Sequence, residues 1–253
     1  MPAKLDVLVF AAHPDDVELF AGGTVCSLVE LGYGVGIVDL TRGELGSRGT
    51  PELRMEEATA AADIMGIAVR KNLGMPDGDI SNTVDHRIEI IRCLRRYRPD
   101  ILLINAPECR HPDHGAAARL LADSVFYSGL TKIETAETDG QPQDPWRPHH
   151  VMHYMQSIPF EPTIVVDVSD VWEKKMDAIR AFGSQFHQGE FAGGDDEPQT
   201  FVSNPGFLKW IEARARTYGY RIGAEYGEPF LYRHGPIGTD DPVKMLRKKR
   251  PFR

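Results

Sequence analysis

Two short histidine–proline–aspartate turns carry the side chains of this sequence that are best suited to metal chemistry. The first is His13-Pro14-Asp15-Asp16, and the second is His111-Pro112-Asp113-His114. An imidazole nitrogen and a carboxylate oxygen both bind zinc-like ions at about 2.0–2.2 Å. His13 and Asp16 are three positions apart, so one turn can direct both at a single point while Asp15 stays available for proton transfer. With His114 as a third ligand, one coordination position remains for water, which is typical of a catalytic zinc.

Each turn lies where an apolar strand meets a helix. Residues 5–11 and 100–105 form apolar runs that predict buried strands, and the turns are followed by helical patterns over 18–31 and 116–127. Open α/β sheets bind ligands at the carboxyl ends of their strands, where helix N-termini add positive partial charge. The two turns are therefore predicted to meet at one edge of a sheet.

The rest of the chain continues the alternation of strands and helices. Further strands are predicted at 35–40, 69–73, 150–155 and 163–168, and further helices at 51–66, 84–97, 169–182 and 205–218. Residues 129–148 are predicted to form a surface loop or lid, and residues 185–204 an acidic, mobile segment. The alternation predicts an α/β fold, namely a Rossmann-like, doubly wound, mostly parallel sheet with helices on both faces and a small C-terminal extension. We expect one domain over 1–253, with both metal turns in a core at 1–128 and further strands, helices and pocket loops at 129–253.

Composition excludes several classes of partner. The 253 residues carry a net charge of −8 at pH 7, which argues against nucleic acid, and the basic run at 244–253 is interpreted as a solvated tail. No apolar run approaches about 18 residues, so no membrane span is predicted. The three cysteines form no C-x-x-C pair and follow no leader sequence, which favours a reduced, cytoplasmic protein. Cys26 and Cys93 fit core positions, and Cys109 lies near enough to His111 to line the site.

The motifs resemble those of the zinc-dependent N-acetylglucosaminyl deacetylase family. The similarity rests on A-H-P-D-D-V-E at 12–18 and on C-R-H-P-D-H-G at 109–115. The stretches at 41–50, 72–77, 184–186 and 203–230 are similar to the branch of this family that acts in bacillithiol biosynthesis. The resemblance covers nearly the whole chain. It implies hydrolysis of N-acetylglucosaminyl-L-malate, a small-molecule glycoside, to glucosaminyl-malate and acetate.

The resemblance also implies roles for individual residues. It gives one Zn²⁺ per chain, or Fe²⁺ on the same ligands, held by His13, Asp16 and His114. Asp15 is then the general base and later the proton donor, His111 stabilises the oxyanion, and Asp113 orients a ligand histidine. The residues assigned to the substrate are Arg54, Arg110, Glu44 and Ser47. Members of the family that act in mycothiol biosynthesis carry a tyrosine near the second turn, where this chain has Cys109 and Arg110, so no tyrosine role is transferred. A homo-oligomer, trimeric or hexameric, is expected by the same resemblance.

Other interpretations of the same residues stay open at this point. A different N-acetylglucosamine conjugate or a chitooligosaccharide is an alternative substrate. A Mg²⁺-dependent phosphoacceptor domain also places acids after its first strand, although histidine-bearing turns favour a borderline metal. A sugar-binding module without catalysis would keep the pocket but tolerate Asp15→Asn. His149, His150 and His153 are interpreted as structural or surface residues, and His86, His187 and His234 stay unassigned.

Overall fold

A seven-stranded sheet forms the centre of the protein in the computed structural model, which describes residues 4–186, 198–233, 235, 236, 238 and 240. The strands lie in the order β3-β2-β1-β4-β5-β7-β6. Their bounds are β1 Val7–Ala11, β2 Val35–Thr41, β3 Val69–Met75, β4 Ile101–Ile104, β5 His150–Tyr154, β6 Ile164–Asp167 and β7 Gly227–Tyr232. The first five strands pair in parallel, whereas β7 pairs antiparallel with both β5 and β6.

Helices cover both faces of this sheet. Their bounds are α1 Asp16–Glu30, α2 Pro51–Met65, α3 Val84–Tyr97, α4 Pro112–Ser128, α5 Trp172–Arg180 and α6 Phe207–Ile222. Alternate residues of β1 enter two separate apolar cores, as the period of two in a strand requires. Val7 and Val9 pack with α1, α2, α5 and α6 on one face, and Leu8 and Phe10 pack with α3 and α4 on the other. None of the helices in the described part of the chain is long and apolar enough to cross a membrane.

The strand order reverses between β1 and β4. From β1 the chain moves outward through β2 and β3, and it then returns to place β4 on the opposite side of β1. Loops diverge where a parallel sheet reverses its order, and this leaves a crevice at the carboxyl ends of the two strands. The two metal turns follow β1 and β4, so they face each other across this crevice.

The predicted fold class is confirmed, and the differences concern local boundaries. Helix α1 begins at Asp16, two residues earlier than predicted, because Asp15 takes the N-cap position. Residues 169–182 do not form one helix, since a 3-10 turn at Ser169–Val171 precedes α5. The surface loop at 129–148 contains one isolated bridge, between Ala136 and Pro142. Residues 187–197 of the predicted mobile segment, the basic run at 244–253, His187 and His234 lie outside the described residues.

Strand β7 was not predicted from the sequence. Gly227 and Pro229 within this segment both disfavour a strand, and Pro229 has no N–H to donate. In the structure the Pro229 carbonyl accepts a hydrogen bond from the backbone N–H of Met155 at 3.2 Å, so the pairing with β5 survives. The C-terminal part of the chain is therefore not only an extension, because β7 lies inside the sheet between β5 and β6.

A buried ion pair joins β7 to the middle of α1. Lys175 Nζ lies 2.6 Å from Glu228 Oε1, and both side chains are almost fully enclosed. The Glu228 carboxylate accepts from the backbone N–H groups of Gly23 at 2.9 Å and Thr24 at 2.7 Å, while Lys175 donates to the Leu19 carbonyl at 3.0 Å. In an uninterrupted α-helix the Gly23 N–H would pair with that carbonyl. Helix α1 is nevertheless continuous over Asp16–Glu30, so the two side chains add contacts to backbone groups in its middle.

The buried pair predicts that replacing Lys175 lowers the free energy of unfolding much more than replacing its neighbour Lys174. We expect Lys175→Met to lower the free energy of unfolding by about 3–5 kcal/mol, because it leaves the Glu228 charge buried without its cationic partner. The matched control is Lys174→Met, which removes an exposed pair with Glu30 at 3.4 Å and should cost less than about 1 kcal/mol. Urea unfolding of the two variants and the parent measures both effects. Equal losses in the two variants would contradict the role given to the buried pair.

Candidate metal centre and active site

Asp16 is the most enclosed carboxylate of the crevice, with 2% of its surface exposed. Its Oδ2 accepts from the backbone N–H of His13 at 3.1 Å and from Asn105 Nδ2 at 3.2 Å. Its Oδ1 accepts from Gln156 Nε2 at 3.0 Å and lies 3.1 Å from His114 Nε2. Burial raises the pKa of this carboxyl, but His114 and His13 outweigh burial and leave the pKa well below its usual range. Asp16 is therefore an anion.

His13 presents its two ring nitrogens to different carboxylates. Nδ1 lies 3.8 Å from Asp16 Oδ2. Nε2 lies 3.0 Å from Asp77 Oδ1 and 3.2 Å from Asp113 Oδ2. A histidine that binds a metal through one nitrogen commonly donates the N–H of the other to a carboxylate. The geometry leaves Nδ1 facing Asp16 and His114, with Asp77 and Asp113 behind the ring.

Asp15 differs from its neighbour Asp16 in conformation and in charge. Its backbone has a φ of 113°, in the left-handed region that residues other than glycine rarely adopt. Burial raises the pKa of Asp15 to about 7, although the positive charges of Arg54 and His13 act in the opposite direction. Backbone strain of this kind is concentrated at functional sites. A carboxylate with a pKa near neutrality is suited to accept and return a proton.

Arg54 lies against Asp15. Its Nη1 donates to the Pro14 carbonyl at 3.2 Å and to Asp15 Oδ2 at 3.4 Å, and the side chain is buried. The glycine-rich loop that follows β2 packs around the guanidinium, since a Cβ added to Gly43 would lie 3.1 Å from Nη1. Arg54 and Asp15 both line the cavity, so this predicted substrate residue lies beside Asp15 at the ligand space.

His111 caps the helix that carries His114. Its Nδ1 accepts from the backbone N–H of Asp113 at 3.3 Å, which leaves the proton of the neutral ring on Nε2. Burial lowers the pKa of His111, and the positive charges of His13 and His114 lower it further. A neutral His111 with Nε2–H in the cavity can donate a hydrogen bond to an oxyanion.

A cavity of about 440 Å³ opens above these side chains. Its lining includes most of the residues predicted for the site: His13, Asp15, Asp16, Ser47, Arg54, Arg110, His111 and His114. Glu44 is not among the lining residues, and its carboxylate instead accepts from the backbone N–H groups of Asp77 at 2.9 Å and Arg42 at 3.2 Å. Oε1 thus joins the loop after β2 to the loop after β3, and a contact of Glu44 with substrate stays a prediction.

The residues present fit a divalent cation. Burial lowers the pKa of His13, but hydrogen bonds to Asp113 and Asp77 and the charge of Asp16 raise it to about 10. Burial likewise lowers the pKa of His114, and Asp16 raises it to about 9. The surrounding carboxylates thus stabilise positive charge on both rings. A metal ion with nitrogen and oxygen ligands supplies such charge at the same point.

Two groups of donor atoms lie close enough together to hold a metal ion. Ring nitrogens of His13, His111 and His114 lie within 4.8 Å of one another, as do donor atoms of His13, Asp77 and Asp113. In the first set, His111 already uses Nδ1 at the helix cap. Asp16 carries a negative charge and contacts both His13 and His114, so we favour His13, Asp16 and His114 as the ligands.

Three residues of the site were absent from the sequence prediction. Asp77 contacts His13, and Asn105 and Gln156 donate to Asp16. Each follows the carboxyl end of a strand, β3, β4 or β5, within two residues. That position was the available signal, because the carboxyl ends of parallel strands meet at one edge of the sheet.

His149, His150 and His153 lie outside this centre. His153 is buried, and its Nδ1 lies 2.7 Å from the Asn105 carbonyl. His150 is exposed beside Tyr232, at 3.0 Å from the tyrosine hydroxyl, and His149 is exposed near Asp100. Cys26 and Cys93 are fully buried, as predicted, and all three cysteines are free.

Several known proteins are similar to this chain in sequence or in fold. Residues 8–125 match the model of the PIG-L family, described as GlcNAc-PI de-N-acetylase. A diacetylchitobiose deacetylase of Thermococcus kodakarensis is 31% identical over 194 residues, covering 71% of this chain and 70% of the relative. A probable N-acetyl-alpha-D-glucosaminyl L-malate deacetylase 2 of Bacillus cereus is 30% identical over 227 residues, covering 81% and 94%. A 4-oxalmesaconate hydratase of Pseudomonas putida is 28% identical over 203 residues, covering 73% and 75%.

Among solved structures, a conserved protein of Thermus thermophilus superimposes with a TM-score of 0.80. It is 35% identical, and the match covers 93% of this chain and 97% of that one. The chain therefore belongs to the PIG-L family of de-N-acetylases.

The assignment of His114 as a ligand gives a direct test. We expect His114→Ala to lose most of its bound zinc, because a catalytic zinc site with two protein ligands and solvent binds far more weakly than one with three. Metal analysis after dialysis against a fixed free zinc concentration measures the occupancy. His150→Ala, an exposed histidine in the same sheet, is the matched control and should bind zinc as the parent does. Full occupancy in His114→Ala would remove His114 from the ligand set.

Proposed function

We propose that this protein hydrolyses the N-acetyl group of an N-acetylglucosamine conjugate. The observation that carries the proposal is the adjacent pair Asp15 and Asp16. Asp16 is a buried anion that faces two imidazoles, and Asp15 is a carboxylate whose pKa burial raises to about 7. Amide hydrolysis at a metal centre can use both kinds of carboxylate, one as a metal ligand and one as a general base. Membership of a de-N-acetylase family supports the same reaction.

His13, Asp16 and His114 would hold the metal, which we propose is Zn²⁺, with Fe²⁺ as the alternative. A metal bound there lowers the pKa of a water toward about 7 and polarises the acyl carbonyl. Asp15 takes the proton of the attacking water and later returns it to the leaving amine. His111 donates from Nε2 to the developing oxyanion. Asp113 and Asp77 hold the His13 ring, and Arg54 fixes Asp15 through the 3.4 Å contact.

Within this class we propose N-acetylglucosaminyl-L-malate as the substrate. The Bacillus relative supports it, and so does the position of Arg110 at the cavity. The Arg110 guanidinium stacks on Phe201, at 4.3 Å from the ring centroid. Stacking uses the face of the guanidinium and leaves its N–H edge free to form bidentate hydrogen bonds to a carboxylate.

An N-acetylated disaccharide is the second candidate, and an aromatic cleft favours it. The cleft has a volume of about 450 Å³ and shares Thr200, Phe201 and Phe207 with the catalytic cavity. Its other lining residues are Gln199, Asn204, Gly206 and Trp210. Aromatic rings beside amide and hydroxyl groups suit the apolar face and hydroxyls of a second sugar ring. Deacetylation of a disaccharide would place that ring over Phe201.

The cytoplasmic location and the homo-oligomeric assembly expected from the sequence remain proposals. Three free cysteines are compatible with a reducing cytoplasm. A homo-oligomer is still expected from the family resemblance. Neither expectation enters the chemistry argued above.

The first functional prediction separates the two aspartates. We expect Asp15→Asn to retain bound zinc and lose about 10²–10⁴-fold in kcat, because asparagine is nearly isosteric but cannot accept the proton. Asp16→Asn should instead lose metal affinity first and recover part of its activity in excess zinc. Acetate release and metal content are measured on both variants. Hydration of a carbon–carbon double bond releases no acetate, so acetate production also excludes the reaction named for the Pseudomonas relative. A parent protein that releases no acetate from any N-acetylglucosaminide would refute the proposed function.

The second functional prediction distinguishes the substrates. We expect Arg110→Ala to raise KM for N-acetylglucosaminyl-malate by about 10–100-fold, since a hydrogen bond to a charged group contributes about 1.5–3 kcal/mol. The same change should have a smaller effect on diacetylchitobiose, whose second unit is neutral. Trp210→Ala is the matched variant for the aromatic cleft and should affect the disaccharide alone. Equal effects of Arg110→Ala on both substrates would assign Arg110 to the shared sugar or to the scaffold.

A further inference from the structure

The ring nitrogen of His114 that faces away from the metal centre contacts a cysteine. Nδ1 of His114 lies 3.0 Å from Cys109 Sγ, and the sulfur lies 3.4 Å from Ser157 Oγ. Cys109 lies two residues before the second metal turn, and Ser157 follows the end of β5. Within the described part of the chain, Cys109 is the hydrogen-bond partner of Nδ1, while Nε2 faces Asp16 at 3.1 Å.

The protonation pattern of this imidazole decides whether it can bind a metal. A neutral imidazole carries one N–H, so binding through Nε2 requires the hydrogen on Nδ1, and that N–H needs an acceptor. The Cys109 sulfur can accept it whether the group is a thiol or a thiolate. When Cys109 is a thiol, its S–H is directed to Ser157 Oγ, and the sulfur lone pairs are left for Nδ1. A thiol hydrogen turned toward Nδ1 would favour the opposite tautomer, with the ring hydrogen on Nε2 in the ligand position.

The two ligand histidines are held by different kinds of acceptor. The His13 ring is backed by the carboxylates of Asp77 and Asp113, at 3.0 and 3.2 Å. The His114 ring is backed by sulfur, which is a weaker acceptor than a carboxylate. One substitution at Cys109 therefore removes the acceptor of Nδ1, while the contact of Nε2 with Asp16 stays in place.

We propose that Cys109 is a positioning residue that, with Ser157, holds His114 in the tautomer that binds metal through Nε2. The proposal rests on the metal site of the proposed function. Outer contacts of metal-bound histidines typically contribute 10–100-fold to metal affinity. Cys109 touches neither the substrate space lined by the cavity residues nor the metal position, so its effect acts through His114.

Zinc affinity of matched cysteine variants tests this inference. Cys109→Ala, which removes the acceptor, should weaken zinc binding about 10–100-fold in competition with a chromophoric chelator. Cys109→Ser keeps an acceptor at this place and should stay within a few-fold of the parent. Ser157→Ala should fall between them, because the thiol hydrogen is then free to turn toward Nδ1. Cys93→Ala, at a buried position of α3, applies the same chemical change away from the site and should bind zinc as the parent does.

A spectroscopic readout separates positioning from a general loss of structure. In the zinc-loaded parent and in Cys109→Ser, the hydrogen-bonded Nδ1–H of His114 should give a low-field proton resonance, which Cys109→Ala should lose. Parent-like zinc affinity in Cys109→Ala would overturn the inference. If His114→Ala loses zinc while Cys109→Ala does not, only the positioning role fails. If His114→Ala keeps its zinc, the metal site itself has been assigned wrongly.

Discussion

The burial of one carboxylate, that of Asp16, constrains the whole catalytic edge of the sheet. Removing an ionised carboxylate from water costs several kcal/mol unless its oxygens are fully paired. The partners come from three neighbouring strand ends: the His13 backbone after β1, Asn105 after β4 and Gln156 after β5. The register of those strands therefore has to be right for Asp16 to be charged, and the negative charge of Asp16 in turn stabilises positive charge on His13 and His114.

Consecutive aspartates with opposite electrostatic behaviour follow from the same packing. Asp16 starts α1 and points into a set of hydrogen-bond donors, whereas the left-handed backbone at Asp15 sends its side chain toward Arg54 and the cavity. The two residues are adjacent in sequence, but their pKa values are shifted in opposite directions. Acid–base chemistry next to a metal needs this division, because a carboxylate that binds the metal is a poor proton acceptor.

The sequence predicted the two metal turns, because both are local motifs placed directly after apolar strands. It also predicted the α/β class and most element bounds, which depend on periodicity within about fifteen residues. It did not predict Asp77, Asn105 or Gln156, since their role depends on which strand ends become neighbours. Strand β7 was missed for a related reason: Pro229 opposes a strand locally, and the pairing with β5 and β6 overrides that preference. The contact of Glu44 with the backbone of Asp77 was not predicted either, since it joins the loops that follow two neighbouring strands.

The contact between Glu228 and α1 has a consequence for the order in which the chain folds during synthesis. The carboxylate that accepts from Gly23 N–H lies 205 residues further along the chain. The ribosome completes α1 long before it makes the strand that carries Glu228. Until β7 takes its place between β5 and β6, the Gly23 and Thr24 N–H groups of α1 lack their contacts with Glu228. Contacts of such long sequence separation slow folding, and the final arrangement of the helix that carries Asp16 is fixed only when β7 arrives.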